Sequence, residues 1–77
     1  RLENLEKIAE QFDGVDKAYA IQAGRELRIM VDHEQVSDVE AKDIAKNIAR
    51  EIENQLRYPG RIKVTMIRET RIIEYAR

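Results

Sequence analysis

The first part of the chain carries apolar residues at the spacing of one helix face. They recur at intervals of three and four residues: Leu2, Leu5, Ile8, Ala9 and Phe12. Charged residues, most of them glutamates, occupy the other face, so the pattern predicts an amphipathic α-helix. Asp13-Gly14 follows, and glycine readily takes the left-handed backbone conformation that closes a helix. We therefore expect the helix to end there.

Two apolar runs with a period of two come next and predict a β-hairpin over residues 15–23 and 26–31. In the first run, one side of the strand carries Tyr19 and Ile21, and the other carries Ala18, Ala20 and Gln22. In the second run, one side carries Leu27, Ile29 and Val31, and the other carries Arg28 and Met30. How these sides combine across the hairpin depends on the number of residues in the loop.

A three-residue loop that ends at Gly24, with positive φ at that glycine, is the expected connection. It places Tyr19 and Ile21 on the apolar side of the second strand and separates apolar from polar residues best. The other sheet face is then small and polar, and Arg25 with the basic end of the chain is the place to look for contacts. A two-residue loop instead exposes Tyr19 and Ile21, which with Met30 become the candidate interface.

The second helix has the clearest start signal in the chain. Ser37 and Glu40 form a capping box, in which each side chain accepts a hydrogen bond from the other residue's backbone N–H, and Val36 and Ala41 occupy the staple positions. The apolar stripe that follows comprises Ile44, Ile48, Ile52 and Leu56, flanked by Ala41, Ala45 and Ala49. Tyr58-Pro59-Gly60 is expected to stop the helix, because proline disfavours helix in the residue before it.

A third strand follows this helix. Ile62, Val64 and Met66 alternate with Lys63 and Thr65, but the later apolar positions, Ile67, Ile73 and Tyr75, change the parity. We expect a bulge or a turn within residues 67–72. The pattern leaves open whether residues 71–76 form a fourth strand or extend the third.

The element order helix-strand-strand-helix-strand, with one further strand in the alternative case, predicts an α+β fold. Two helices would pack on one face of a three- or four-stranded mixed sheet. The second helix would be a right-handed crossover, so that the second and third strands run parallel. The 77 residues form one small domain, 1–77. The chain starts in predicted helix, without Met or a signal peptide pattern, so we expect a piece of a longer chain.

Composition narrows the function classes. The chain has no cysteine, which excludes disulfide scaffolds, thiolate nucleophiles and zinc-thiolate sites, and no apolar run is long enough to span a bilayer. Residues 1–56 carry 8 Lys and Arg against 13 Asp and Glu, a net charge of −5, whereas residues 57–77 carry 6 against 2, a net charge of +4. Such a basic segment attracts phosphate.

Candidate chemistry within the chain is sparse. His33 is the only histidine and is expected to be a solvated loop residue, because no second ligand cluster lies at metal-site spacing. No glycine-rich phosphate loop, Gly-x-x-Gly clamp or aromatic-rich strand motif for RNA is present. We therefore predict no catalytic, cofactor-binding or metal-binding residue. The candidate RNA or partner contacts are Arg25, Arg61, Lys63, Arg68 and Arg71.

Four stretches resemble the extreme C-terminal region of the bacterial ribonuclease Y family: 12–28 (FDGVDKAYAIQAGRELR), 58–64 (YPGRIKV), 67–71 (IRETR) and 74–77 (EYAR). They keep the order and spacing of the family over nearly the whole chain. The departures, such as Asp32-His33-Glu34-Gln35, lie in a predicted loop.

The resemblance implies a membrane-anchored endoribonuclease that initiates messenger RNA decay on the cytoplasmic side of the cell membrane. Its membrane helix, coiled coil, KH-type RNA-binding domain and His-Asp catalytic domain with a divalent metal would all precede this chain. None of the family's catalytic or metal-binding residues falls on these 77 residues. The chain itself is expected to be soluble, without membrane contact, and to meet RNA through the parent protein.

Three functions follow as hypotheses. The first is a non-catalytic accessory domain that contacts the parent catalytic domain, a second copy or other RNA-decay proteins. The second is an auxiliary RNA contact through the basic segment at residues 57–77. The third is a small-ligand-sensing regulatory domain, which rests on fold-level analogy.

Overall fold

The structure, a computed structural model, describes residues 2–56 and 60–77. These residues form two helices and three strands in the predicted order: α1 (Leu2–Glu10), β1 (Val15–Ile21), β2 (Glu26–Asp32), α2 (Asp38–Gln55) and β3 (Lys63–Glu69). The predicted stop at residues 58–60 lies mostly outside the described residues, and α2 ends before it.

The strands form one mixed sheet in the order β1-β2-β3. β1 and β2 pair antiparallel, and β2 and β3 pair parallel, as expected for strands joined by a helical crossover. Both helices pack on one face of the sheet, so the predicted α+β fold is confirmed. The core between them buries Leu5, Ile8, Ala9, Ala18, Leu27, Ile29, Val31, Val36, Ala41, Ile48 and Ile52.

The start of α2 matches the expectation from the sequence. The hydroxyl of Ser37 accepts a hydrogen bond from the Glu40 N–H at 3.1 Å, and the Glu40 carboxylate accepts one from the Ser37 N–H at 2.8 Å. Val36 and Ala41 are both buried, as the staple positions require. The capping box is therefore confirmed.

The hairpin loop differs from the expected one. Ile21 pairs with Glu26, so the loop contains the four residues 22–25, closed by a hydrogen bond of 3.1 Å from the Arg25 N–H to the Gln22 carbonyl. Positive φ falls on Arg25, at 48°. The expectation of a three-residue loop with Gly24 in this conformation was wrong.

An even number of loop residues reverses the side-chain parity of β1. Ala18 lies opposite Ile29 and Ala20 opposite Leu27 on the core side. Tyr19 and Ile21 therefore point to the sheet face without helices. The expectation that they share the apolar side of β2 was wrong. The side-chain directions are those expected for the alternative, a two-residue loop.

A β-bulge near the start of β1 changes the side on which Val15 lies. Val15 pairs with Val31, but the next pair is Lys17 with Met30, so Asp16 is an extra residue. The bulge lets Val15 and Ala18 both face the core although they are three residues apart. Strict alternation through the whole strand was the wrong assumption.

Helix α1 lies close to β1, and two of its glutamates reach the backbone of that strand. Glu6 accepts a hydrogen bond from the Ala20 N–H at 2.8 Å, and Glu10 accepts one from the Ala18 N–H at 3.3 Å. Alanine side chains at these two positions leave room for the helix. This role of the glutamates was not predicted from the sequence, because it depends on where the helix packs.

β3 ends at Glu69, inside the interval where we expected a bulge or a turn. Residues 70–77 form no regular element and are all exposed. The described residues therefore contain three strands and no fourth one. The pairing of β3 with β2 is regular up to Glu69, so β3 contains no bulge, and Ile67, where the parity changes, lies inside the strand on the side away from the core.

Candidate interaction surface

The side of the sheet opposite the helices is uncovered within the described residues, and we call it the open face. Cross-strand pairing places the following side chains there: Lys17, Tyr19 and Ile21 of β1, Glu26, Arg28 and Met30 of β2, and Lys63, Thr65 and Ile67 of β3. The open face is thus a mixed surface of apolar and charged groups.

The apolar part of the open face unites the three residues predicted as an interface. Tyr19 is 48% exposed, and Ile21 and Met30 are half-buried. Ile67, which the sequence analysis did not propose, joins them because it pairs with Met30 across the parallel ladder. The sequence did contain a signal for this placement: the core-side residues of β3 have even numbers, and Ile67 has an odd number.

A carboxylate network lies beside these apolar residues. Glu26 accepts hydrogen bonds from Arg28 Nε at 3.1 Å and from the Thr65 hydroxyl at 2.8 Å. The bond from Arg28, followed by that from Thr65, lowers the pKa of Glu26 below its ordinary value. The network ties β2 to β3 and keeps this carboxylate charged.

Three of the five predicted basic contacts lie at one end of the sheet. The Lys63 N–H donates to the Arg25 carbonyl at 2.8 Å, and Arg61 precedes β3 at the same end. The Arg25 side chain lies against Gly60, where an added Cβ would come within 2.7 Å of its Nη1 atom. The hairpin tip and the start of β3 therefore form one basic cluster.

The other two basic residues lie at the far end of β3 and are engaged in ion pairs. Arg68 donates from Nε to the Val36 carbonyl at 2.7 Å, from Nη2 to the His33 carbonyl at 2.9 Å, and from Nη1 to Asp38. Arg71 pairs with Glu69 at 2.6 Å. Five residues of strand separate Lys63 from Arg68, about 17 Å, so the five predicted contacts do not form one surface.

His33 contributes to the fold through its backbone. Its N–H donates to the Glu69 carbonyl at 3.2 Å, and its carbonyl accepts from Arg68. Among residues 2–56 and 60–77, no three His, Asp or Glu side chains come together as a group that could hold a metal ion. None of the described helices is long and apolar enough to cross a membrane.

A groove of about 670 Å³ lies between the last turns of α2 and the start of β3. Its lining includes the apolar residues Ile52, Leu56, Ile62 and Val64, and also Gly60. Glu53 and Arg61 add charged groups to the lining. The groove and the basic cluster adjoin, since they share Gly60 and Arg61.

Ribonucleases Y match the chain along its whole length. It is 66% identical over 77 residues to the ribonuclease Y of Treponema denticola, 65% to that of Acetivibrio thermocellus and 62% to that of Treponema pallidum. The chain spans 15% of the length of each of these relatives. These identities confirm the resemblance expected from the sequence.

No protein-family model matches the chain. No solved structure matches it either.

Proposed function

Because the chain belongs to the ribonuclease Y family as a segment of its longer members, we propose that it is a non-catalytic accessory domain of an endoribonuclease that initiates messenger RNA decay. It acts through protein contacts made by the open face. The observation that carries the proposal is the partly exposed apolar group of Tyr19, Ile21, Met30 and Ile67 on a side of the sheet that no described residue covers.

The occupant of the open face in this proposal is another domain of the same polypeptide. Relatives are several times longer than this chain, and a tethered domain is present at a high effective concentration, in the millimolar range for short flexible linkers. A small apolar patch with charged residues around it is therefore sufficient for docking between two domains of one polypeptide. Tyrosine and methionine are enriched in the cores of such interfaces.

The described residues support a non-catalytic role. General acid or base catalysis works best with a pKa near the operating pH, and the pKa of Glu26 moves the other way, downward, because Arg28 and Thr65 donate to it. His33 is engaged through its backbone at the junction of β3 and the loop before α2.

A chimaera tests the docking role. The matching segment of the Treponema denticola ribonuclease Y is replaced by this chain, and RNA cleavage is measured with the double variant Tyr19→Asp/Met30→Asp. We expect cleavage to fall in this variant because charges in the patch oppose docking. Val39→Asp is the matched control, since Val39 is 71% exposed on α2, away from the open face, and we expect it to keep full activity.

Two results would contradict the proposal. One is unchanged cleavage by the open-face variant while circular dichroism shows that the isolated variant chain is folded. The other is robust cleavage of single-stranded RNA by the isolated 77-residue chain with Mg²⁺ or Mn²⁺, abolished by His33→Ala.

A second candidate function, an auxiliary RNA contact, is favoured by the basic cluster of Arg25, Arg61 and Lys63. Three phosphate contacts to single-stranded RNA would make log affinity fall with log salt with a slope of about −2. Fluorescence anisotropy of a labelled RNA over a salt series measures this slope. Absence of binding at about 50 mM salt, where phosphate contacts are strong, removes this function.

A further inference from the structure

The two edge strands of the sheet differ in whether their outward backbone groups have hydrogen-bond partners among the described residues. At the β1 edge, the outward N–H groups of Ala18 and Ala20 donate to glutamates of α1. Exposed edge strands invite pairing with other chains, and natural proteins block edges that must stay unpaired. The β1 edge is blocked in this way.

The β3 edge is open within the described residues. The Lys63 N–H donates toward β2, to Arg25, and the Glu69 carbonyl accepts from His33 on the same side, so odd-numbered residues of β3 face β2. Val64, Met66 and Arg68 therefore direct their backbone N–H and C=O groups outward. No described residue hydrogen-bonds to these outward groups of Val64 and Met66.

The segment that follows β3 exposes three large apolar side chains to solvent. Ile72 is 82% exposed, Ile73 62% and Tyr75 87%. They are three of the five large hydrophobic side chains that are exposed among the described residues, and they lie within four positions of one another. An exposed apolar segment of this kind marks an interaction site.

We propose that a second copy of this chain pairs with the open edge, with β3 antiparallel to β3 around a twofold axis at Met66. Pairing centred on Met66 places Lys63 of each copy directly opposite Glu69 of the other. It joins the two sheets into one sheet of six strands. The closed symmetry of such a dimer uses the same edge on both copies.

Hydrogen bonding and side-chain direction agree with this register. Met66 faces Met66, and Val64 faces Arg68 of the second copy, so the outward N–H and C=O groups meet as hydrogen-bonded pairs. Residues directly opposite share a face of the sheet. Met66 and Val64, which pack against the core on the helix side, therefore meet residues on that side.

The charges of β3 favour the same register. The Lys63 and Glu69 side chains lie on the open face, and each dimer contains two such pairs of opposite charge. Arg71 would lie opposite Arg61 of the second copy, and the carboxylate of Glu69, which is 2.6 Å from Arg71, offsets this repulsion. Glu69 is thus placed between two cations.

The exposed segment and the groove meet in the same arrangement. Continuing the register places Ile72 opposite Gly60 of the second copy, which lines the groove together with Ile52, Leu56 and Ile62. Ile72, the most exposed isoleucine among the described residues, thereby reaches the groove of the other copy.

This self-pairing adds a second contact to the accessory role proposed above, and it uses a different surface. Its readout is the mass of the chain in solution, whereas the open-face proposal is read from RNA cleavage by the chimaera. Either can therefore fail while the other stands.

Sedimentation equilibrium of the purified chain up to about 1 mM gives the first test, since millimolar Kd values are resolved there. We expect a reversible monomer–dimer equilibrium. Ile72→Asp should weaken the dimer at least tenfold, and Val39→Asp, at an exposed apolar position on α2, should leave its Kd unchanged. A monomer at all concentrations overturns the proposal.

Charge reversal tests the register. Lys63→Glu or Glu69→Lys alone turns two attractive pairs into two repulsive ones, so the Kd should rise about tenfold. The double variant Lys63→Glu/Glu69→Lys restores opposite charges between the two positions, so its Kd should be clearly lower than that of Glu69→Lys. Recovery should be partial, because the lysine at position 69 lies beside Arg71, the partner of Glu69 in the native chain. A double variant that is as weak as Glu69→Lys contradicts this register.

Cysteine pairing tests the strand contact directly, because the chain has no cysteine of its own. Thr65 and Ile67 would form a non-hydrogen-bonded pair with Cα atoms about 4.5 Å apart, within disulfide range. Mixing Thr65→Cys chains with Ile67→Cys chains under mild oxidation should give mainly the mixed disulfide. Homodisulfides in equal or greater yield indicate another interface and overturn the proposal.

Discussion

The Glu6 carboxylate accepts a hydrogen bond from the backbone N–H of Ala20 at 2.8 Å, across 14 residues of sequence. It joins the first helix to the outer edge of the first strand. The bond satisfies a donor that would otherwise point away from the sheet without a partner. Among residues 2–56 and 60–77, nothing covers the β3 edge in the same way.

Replacing this acceptor should lower stability. Glu6→Ala leaves the Ala20 N–H without its partner, and since hydrogen bonds to charged groups contribute about 1.5–3 kcal/mol, we expect a loss of about 1–2 kcal/mol at this half-buried site. Urea denaturation measures the free energy of unfolding. Glu6→Gln keeps an amide oxygen as acceptor and should lose clearly less, so equal losses in the two variants would contradict this role.

Arg68 should be the basic residue most important for stability. Its guanidinium holds the carbonyls of Val36 and His33, and its side chain is 31% exposed. Arg68→Ala leaves two acceptors without this donor, and we expect a loss of about 1–3 kcal/mol in the free energy of unfolding.

Arg68→Lys should recover only part of this loss, because an ammonium group lacks the planar fork that binds several acceptors together. Arg50→Ala serves as the control, since Arg50 is exposed and its hydrogen bond to Asn47 is long, at 3.5 Å. A loss for Arg50→Ala similar to that for Arg68→Ala would show a general effect of removing positive charge.

Two glycines should respond differently to alanine. Gly14 has φ 92°, and an added Cβ would lie 3.1 Å from Val36, so Gly14→Ala should lower the free energy of unfolding by at least about 1 kcal/mol. An added Cβ at Gly24 would meet nothing closer than 3.9 Å. Gly24→Ala should therefore leave stability unchanged or raise it slightly. Thermal denaturation monitored by circular dichroism compares them, and equal melting temperatures would be inconsistent with the backbone conformation.

Acid should weaken the network around Glu26. Its pKa is lowered in the folded chain by hydrogen bonds from Arg28 and Thr65, so its contribution is present above the ordinary glutamate pKa of about 4.3 and is lost as the pH falls through the lower folded value. Glu26→Gln should flatten this part of the stability–pH profile. Urea denaturation between about pH 5 and pH 3 measures this loss of stability. Parallel stability–pH profiles for the native chain and Glu26→Gln would refute the role of Glu26.

Local signals predicted both helices and the start of α2, whereas α1 ends at Glu10, before the expected Asp13-Gly14. The capping box of Ser37 and Glu40 involves residues three apart, and its geometry follows from their identity. The parallel pairing of β2 and β3 followed from the length of the crossover. These features depend on neighbouring residues or on simple topology, so the sequence was sufficient for them.

The candidate surface was only partly predictable. Tyr19, Ile21 and Met30 were named from the alternation, but the expected loop would have buried Tyr19 and Ile21. The four-residue loop between Ile21 and Glu26 reversed the parity, whereas Gly24 had suggested a three-residue loop. Arg68 was expected to be an outward contact, and the fold uses it to hold the loop before α2.

The sequence by itself determined the order of the elements, the capped second helix, the apolar stripes and the ribonuclease Y resemblance, since each depends on residues close in the chain or on overall similarity. The tertiary structure alone decided which sheet face is open, which edge is blocked and which cations are paired. Those properties depend on contacts between segments 14 to 35 residues apart. The packing of α1 against β1 and the register of the sheet determine such contacts, and neither is encoded in any single stretch.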